Sequence, residues 1–258
     1  THNFVAGYDN DVYKEMDHGT KTLSTIAMNQ PTVFVGTAPK ADFWLLRAED
    51  YSTESPAEED FWIAAVEFSD SVGVDVISSS LGYHGFDDKT MNYRYSDLNG
   101  RTAAISQAAS RLASKGMILV NSAGNDGMGT WKKINVPADA HDILTVGAVT
   151  LDKVNAPFSS IGPTADGRIK PDVMAYGCPT NVVSGRGYII PDNGTSFACP
   201  LIAGMVACLW QACPNKSAKE ILDIVRQSGN NCQSPDNIMG YGIPDFWSAY
   251  QSATRYNQ

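Results

Sequence analysis

The stretch around Ser196 has the residue types of a nucleophilic site. The sequence Asn193-Gly194-Thr195-Ser196 is a turn of small residues, and an apolar run over residues 201–210 follows it. This order predicts that the serine lies at a helix N-terminus, beside unpaired backbone N–H groups that favour negative charge. A serine that attacks a carbonyl needs that environment, because its tetrahedral product carries an oxyanion. An ordinary helix cap has the same local pattern, so other residues must decide between the two.

A histidine opens another predicted helix, in the sequence Asp17-His18-Gly19-Thr20. His18 is a candidate general base, which would take the proton from a serine and later return it to a leaving amine. A solvent-exposed histidine near a helix start is the alternative, and the local sequence alone does not distinguish them.

Two apolar strands end in small residues that suit the binding of a peptide. In the first, Ser122, Ala123 and Gly124 lead to Asn125, whose amide is a candidate oxyanion donor together with the backbone N–H of Ser196. Asn and Gly are also common turn residues. The second strand ends in Ser80, Leu81 and Gly82, where small side chains let an extended peptide pair with the backbone.

Strand-like and helix-like segments alternate along the chain and would position these residues. We predict helices at 18–28, 57–72, 101–115, from 196, at 217–227 and after 245, strands at 43–47, 75–78, 117–120 and 143–149, and a hairpin at 185–191. Short apolar strands separated by helices predict an α/β fold, with helices on both faces of a mostly parallel sheet. No repeat or linker divides the sequence, so we expect one domain over residues 1–258. Ligands of such sheets bind beyond the carboxyl ends of the strands.

Composition and charge exclude several classes of protein. The net charge is −9 without a basic patch, which argues against nucleic-acid binding. The longest apolar run, about ten residues, is too short for a membrane span. The five cysteines lack metal-site spacing; Cys199 and Cys208 are expected to be buried thiols, and Cys213 and Cys232 to pair only in an exported protein.

Taken together, these motifs resemble the subtilisin-like serine protease family, the subtilases. The resemblance is carried by His-Gly-Thr at 18–20, Val-Gly-Thr-Ala-Pro at 35–39, Ser-Ser-Leu-Gly at 79–82, Ala-Gly-Asn at 123–125, Gly-Thr-Ser-Phe-Ala-Cys-Pro at 194–200 and Met-Gly-Tyr-Gly-Ile-Pro-Asp at 239–245. It implies a subtilisin-like three-layer α/β sandwich and an endopeptidase. Ser196 would form the acyl-enzyme, His18 would be the base and Asn125 the oxyanion donor. Polypeptide substrates would pair along residues 80–82 and 122–124.

One family feature is missing from this sequence. Subtilases hold the histidine with an aspartate, in an Asp-Ser-Gly-like or Asp-Thr-Gly-like motif about thirty residues before it, but only seventeen residues precede His18. Asp17 is adjacent to His18 and cannot face it on a helix, and Asp9 and Asp11 lie in a polar, loop-like segment. We therefore expect that a separate N-terminal fragment of the same precursor supplies the aspartate, or that truncation removed it.

Two other classes of function compete with the endopeptidase. Without the aspartate, the chain would be a catalytically impaired or inactive binding protein on a protease scaffold. A lipase of the α/β-hydrolase type is excluded, because its Gly-x-Ser-x-Gly motif precedes the histidine, whereas here His18 comes first and residue 198 is Ala. No cofactor is expected. The resemblance allows a structural calcium ion, but no Asp-rich calcium loop indicates one. It also favours a secreted or cell-surface location.

Overall fold

A four-stranded parallel sheet forms the centre of the fold. The computed structural model describes residues 1–5 and 11–255. The strands are β1 (His2–Asn3), β2 (Asn29–Gln30), β3 (Phe34–Val35), β4 (Leu46–Arg47), β5 (Val76–Ser79), β6 (Ile118–Ser122), β7 (Leu144–Thr150), β8 (Val173–Cys178), β9 (Thr180–Val183) and β10 (Ile189–Asp192). The helices are α1 (His18–Ala27), α2 (Ala57–Ser71), α3 (Ala104–Ala109), α4 (Thr195–Ala212), α5 (Ala218–Gln227) and α6 (Phe246–Arg255). The central sheet has the order β5-β6-β7-β8, and each neighbouring pair is parallel.

Two hydrophobic cores lie on opposite faces of this sheet. Because successive strand residues point to opposite faces, Ile118 and Val120 enter one core while Leu119 enters the other. Helices α1, α4, α5 and α6 contribute to the first core, and α2 and α3 to the second. The predicted three-layer α/β sandwich is therefore confirmed.

Three smaller sheets surround the central one. Strands β1 and β4 pair in parallel, β2 and β3 pair antiparallel, and β9 and β10 form an antiparallel hairpin. The hairpin packs against α1, and α1 in turn packs against α4. These contacts fix the N-terminus of α1 relative to that of α4.

The sequence-based prediction was wrong in three places. Strand β8 was not predicted at all, although it is the fourth strand of the central sheet. The predicted buried strand at 43–47 is reduced to the two residues of β4, and Phe43 and Trp44 are 39% and 49% exposed. The predicted helix at 101–115 contains only α3 and a 3-10 turn, which Gly116 ends with a φ of 87°.

The cysteines and the longest helix also differ from expectation. All five cysteines are free thiols, so Cys213 and Cys232 are not paired, and Cys208 is exposed rather than buried. Cys199 is buried as predicted, and burial raises the pKa of its thiol to about 12. Among the described residues, only α4 is long and apolar enough to span a membrane, but more than half of it is buried and it packs across all four strands of the sheet. Helix α4 therefore packs as a core helix does.

Glu49, just after β4, is expected to make stability depend on pH. Burial raises the pKa of Glu49 to about 7, and the negative charges of Glu58 and Glu54 add to the shift. Above pH 4.5 the unfolded chain ionises this carboxyl while the folded chain still holds its proton. The free energy of unfolding therefore falls as the pH rises from 4.5 to 7, by up to about 3 kcal/mol.

Urea denaturation of Glu49→Gln at several pH values measures this contribution. The variant should be more stable than the wild type at pH 8 and equally stable near pH 4.5, because the amide cannot ionise. A stability difference that does not change with pH would contradict the prediction.

Candidate active site

Ser196 is the second residue of α4, and the first turn of that helix is attached to the ends of two sheet strands. The hydroxyl of Ser80, just after β5, donates to the main-chain carbonyl of Ser196 at 2.8 Å. The N–H of Gly124, just after β6, donates to Oγ1 of Thr195 at 3.3 Å. Ser196 is partly exposed, and within the described residues its hydroxyl makes no hydrogen bond. A serine is thus held at a helix N-terminus at the carboxyl edge of the sheet, as predicted.

His18 is the first residue of α1, and the packing of α1 on α4 brings its ring near Phe197, the residue that follows Ser196. The imidazole lies against the ring of Phe197, with a centroid separation of 6.0 Å. No hydrogen bond joins the imidazole to the Ser196 hydroxyl in the described part of the chain. Such bonds often tighten only when substrate binds.

Burial lowers the pKa of His18, and the positive charge of Lys21 lowers it further, whereas Asp192 and Asp17 oppose the shift. A lowered pKa keeps the imidazole neutral at pH 7, which is the form that can accept a proton. Lys21→Met should move the His18 titration to higher pH, because it removes the positive charge. An NMR titration of the imidazole checks this, with the exposed Lys115→Met as the control; an unmoved or lower midpoint in Lys21→Met would contradict it.

The three described carboxylates that precede His18 are used elsewhere, and one of them, Glu15, pairs with Arg47 at 3.4 Å. Asp17 accepts a hydrogen bond from the N–H of Gly185 at 2.9 Å and pairs with Lys21 at 3.3 Å. Asp11 accepts from the N–H of Tyr13 at 2.8 Å and pairs with Lys14 at 3.1 Å. Asp9 lies outside the described residues. Within those residues, no carboxylate is hydrogen-bonded to the His18 imidazole.

Asn125 is oriented by a residue that sequence reasoning did not single out. Its side-chain Oδ1 accepts from the N–H of Thr195 at 2.9 Å and from the Thr195 hydroxyl at 3.0 Å. Because both bonds hold the oxygen, the NH₂ group points away from Thr195. Asn125 is exposed, and its Nδ2 has no acceptor in the described residues. The Gly-Thr-Ser motif contains Thr195, but only the structure shows that its hydroxyl orients the Asn125 amide.

The two segments predicted to pair with a substrate differ in how many free main-chain N–H groups they have. After β5, the main-chain N–H groups of Ser80 and Gly82 make no hydrogen bond in the described residues, and the carbonyl of Leu81 accepts from the Asn121 amide at 3.3 Å. This segment has a free edge to which an extended peptide can add.

The segment after β6 has no comparable edge. The N–H of Ala123 donates to Val146, and the N–H of Gly124 to Thr195. Ser122 and Ala123 are also buried. Contrary to the expectation from sequence, Ala123 and Gly124 have no free N–H for a substrate strand, so this segment provides a wall rather than a pairing edge.

Comparison with known proteins identifies the family. The sequence profile of the subtilase family, a peptidase family, matches residues 2–242. Subtilisin DY from Bacillus licheniformis is 28% identical over 217 residues, which cover 83% of this chain and 70% of that protein. Subtilisin NAT from Bacillus subtilis subsp. natto is 29% identical over 222 residues, which cover 85% of this chain and 52% of that protein. The chain thus spans 70% of the length of one of these relatives and about half of the other.

Solved structures support the same fold. MycP1 from Mycobacterium smegmatis matches with a TM-score of 0.76 and 21% identity, over 96% of this chain and 73% of that one. The epidermin leader peptide processing serine protease EpiP from Staphylococcus aureus matches with a TM-score of 0.77 and 20% identity, over 99% of this chain and 70% of that one. At these identities the likeness concerns the fold alone. Fold, motifs and profile agree, and the chain belongs to the subtilase family.

Proposed function

We propose that this chain carries the nucleophile, base and oxyanion site of a subtilisin-like serine endopeptidase. The observation that carries the proposal is the meeting of three groups at one edge of the sheet. Ser196 lies at the start of α4 with an N–H that makes no hydrogen bond among the described residues, the ring of His18 lies against Phe197, and Thr195 turns the amide of Asn125 outward. An inert scaffold has no need of that arrangement.

The chemistry follows from these positions. His18 takes the hydroxyl proton as Oγ of Ser196 bonds to the substrate carbonyl carbon. The resulting oxyanion accepts hydrogen bonds from Nδ2 of Asn125 and from the N–H of Ser196. Protonated His18 then gives its proton to the leaving amine as the C–N bond breaks, which leaves an acyl-enzyme. Water hydrolyses this ester by the same steps, with His18 again acting as the base.

Asn125→Ala is expected to lower kcat by about 10²- to 10³-fold, the loss seen when an oxyanion donor is removed from subtilisin. Thr195→Val removes only one bond that orients the amide, so we expect a loss of roughly 5-fold. Hydrolysis of a chromogenic peptide measures both effects. An Asn125→Ala enzyme within a factor of about three of the wild type would contradict the oxyanion role.

The proposal includes a strand that carries the missing aspartate, supplied by an N-terminal segment of the same precursor. Strand β5 is the edge of the central sheet in the described residues; α4 packs on it, and Trp62 of α2 donates to the hydroxyl of Ser79 at 3.1 Å. An edge strand presents unpaired N–H and C=O groups with which a further strand can pair. A parallel strand on β5 would end at the carboxyl edge, where His18 lies.

Labelling with a serine-directed fluorophosphonate tests the proposal. The chain is produced with and without the sequence that naturally precedes Thr1, and the modified residue is mapped by mass spectrometry. We expect label on Ser196, with labelling much faster when the upstream segment is present. If Ser196 remains unlabelled and no peptide is cleaved even with that segment, the endopeptidase proposal fails and a non-catalytic binding role replaces it.

Two further expectations stay predictions. Membership of the family supports a secreted or cell-surface location. Within the described residues no group of three or more His, Cys, Asp or Glu side chains is placed to hold a metal ion. Calcium also binds backbone and amide oxygens, so the calcium ion that the family resemblance allows stays a prediction.

A further inference from the structure

The carboxylate that directly precedes the proposed base is bonded to a different part of the fold. Asp17 stands at the N-cap position of α1, but in the described part of the chain its side chain makes no capping hydrogen bond to that helix. An aspartate at this position ordinarily accepts from the first N–H groups of its own helix. Here Oδ2 accepts instead from the N–H of Gly185, in the turn between β9 and β10, at 2.9 Å. Asp17 therefore attaches the start of α1 to the hairpin.

The same hairpin leads directly to the proposed nucleophile. Strand β10 ends at Asp192, and two residues separate it from α4, whose second residue is Ser196. The second of these two residues, Gly194, donates its N–H to the carbonyl of Gly177 in β8 at 2.9 Å, which fixes the connection to the central sheet. A displacement of α1 relative to the hairpin is therefore also a displacement of His18 relative to the serine.

Two further side-chain bonds hold α1 on the hairpin. Nζ of Lys21 donates to Oδ2 of Asp192 at 3.1 Å, and the N–H of Val183 donates to Oγ of Ser24 at 2.9 Å. Lys21 and Ser24 lie about one and two turns after the start of α1. Of these contacts, the one made by Asp17 is adjacent to the proposed base.

Glycine at position 185 makes the close approach of the two segments possible. A Cβ placed on Gly185 would lie 2.8 Å from Cβ of Asp17, which is nearer than two such atoms come in proteins. A larger residue there would push the hairpin and the start of α1 apart. Their separation is therefore set by direct contact as well as by the hydrogen bond.

From these contacts we infer that Asp17 is a positioning residue, which keeps His18 within proton-transfer reach of Ser196. The inference rests on the proposed function, in which the imidazole takes the proton of the serine hydroxyl. A misplacement of about 1 Å in such an arrangement can cost a factor of about 10² in rate. The carboxylate of Asp17 is occupied by Gly185 and Lys21, so we expect it to act on kcat rather than on KM.

The test measures kcat and KM for a chromogenic peptide, using the protein with its natural upstream segment. Each rate is divided by the amount of Ser196 that the fluorophosphonate labels at completion, which removes inactive protein from the comparison. At about pH 9 the imidazole is neutral, so changes of charge near His18 do not enter. Asp17→Ala should lower kcat by about 10- to 100-fold, with KM within about twofold of the wild type.

Two more variants separate position from charge. Asp17→Asn should keep kcat within about threefold of the wild type, because its amide oxygen still accepts from the N–H of Gly185. Gly185→Ala keeps every charge, yet it should lower kcat as Asp17→Ala does, because the added methyl group forces the two segments apart. The matched control is Asp245→Ala. Asp245 does cap its helix, α6, and accepts from the N–H of Ser248 at 3.1 Å, so this variant should lose stability but keep the wild-type kcat.

A wild-type kcat in Asp17→Ala, or a loss in Asp17→Asn as large as in Asp17→Ala, would overturn the inference and leave the proposed function intact. If the wild-type protein cleaves no peptide and Ser196 is unreactive, the proposed function itself fails.

Discussion

Ser196→Ala should lower peptide hydrolysis by about 10⁶-fold, the size of the loss when the nucleophile or its base is removed from subtilisin. His18→Ala should have an effect of the same size, because the serine hydroxyl is a poor nucleophile without a neighbouring base. The double variant should be no slower than either single variant, since the two side chains act in one step. Hydrolysis of a chromogenic peptide by the protein with its upstream segment provides the measurement.

The matched control is Ser71→Ala, an exposed serine at the end of α2. It should keep the wild-type rate. Losses that multiply in the double variant would show that Ser196 and His18 act independently. A Ser196→Ala enzyme with substantial activity would place the nucleophile elsewhere.

The second large effect concerns stability and comes from an ion network between β8 and α5. Asp172 is 4% exposed; its Oδ2 accepts from Nζ of Lys170 at 2.7 Å, and its Oδ1 from Nε of Arg226 at 2.9 Å. Burial alone would raise the pKa of Asp172, but Lys170 and Arg226 outweigh burial and lower it. Lys170 is itself only 3% exposed. Its charge therefore depends on Asp172 for compensation.

Asp172→Asn should lower the free energy of unfolding by about 3–5 kcal/mol, because it leaves the buried Lys170 without a counter-charge. Asp223→Asn is the control: Asp223 also pairs with Arg226, at 3.0 Å, but its side chain is 73% exposed. That loss should be below about 1 kcal/mol. Urea denaturation followed by tryptophan fluorescence measures both variants.

The same network sets a pH dependence with a definite sign. Since the pKa of Asp172 is lowered in the folded chain, the network stabilises the protein above the unfolded carboxyl pKa and loses that contribution as the pH falls through the folded value. Equal stability of Asp172→Asn and the wild type at neutral pH would contradict this account.

The sequence predicted those parts of the fold that local patterns determine. The apolar runs that became β6 and β7 and the helix starts at His18 and Ser217 were confirmed; Ser217 and Glu220 form a capping box that is visible in the sequence. Strand β8 was missed because its apolar run at 173–175 is short and is followed closely by Gly177 and Pro179, which are typical of turns. Its place depends on long-range contacts, such as the bond from the N–H of Asp172 to Thr145 at 2.8 Å.

The helix predicted at 101–115 was wrong for a local reason. The side chain of Asn99 accepts hydrogen bonds from the N–H groups of Arg101 and Thr102, each at 2.9 Å. These bonds hold that segment in a turn, and helix α3 starts only after it. An Asn side chain that competes with the helix in this way is a known reason for such errors.

The candidate site likewise has parts that the sequence predicts and parts that it does not. The motifs predicted Ser196, His18 and Asn125 as site residues, because each stands at the end of a recognisable strand or helix, and their roles stay predictions. The role of Thr195 and the contact between Asp17 and Gly185 were not predicted. Both depend on which atoms of a side chain face each other, and residue spacing does not determine that.

The most direct test of the central claim is a crystal structure of the protein with a phosphonate bound to Ser196, prepared with its upstream segment. The account predicts a phosphonyl oxygen within about 2.7–3.1 Å of both Nδ2 of Asn125 and the N–H of Ser196. It also predicts the imidazole of His18 within hydrogen-bond distance of the serine oxygen or the leaving-group position. A phosphonate oxygen that contacts neither donor, or a His18 ring turned away from Ser196, would contradict it.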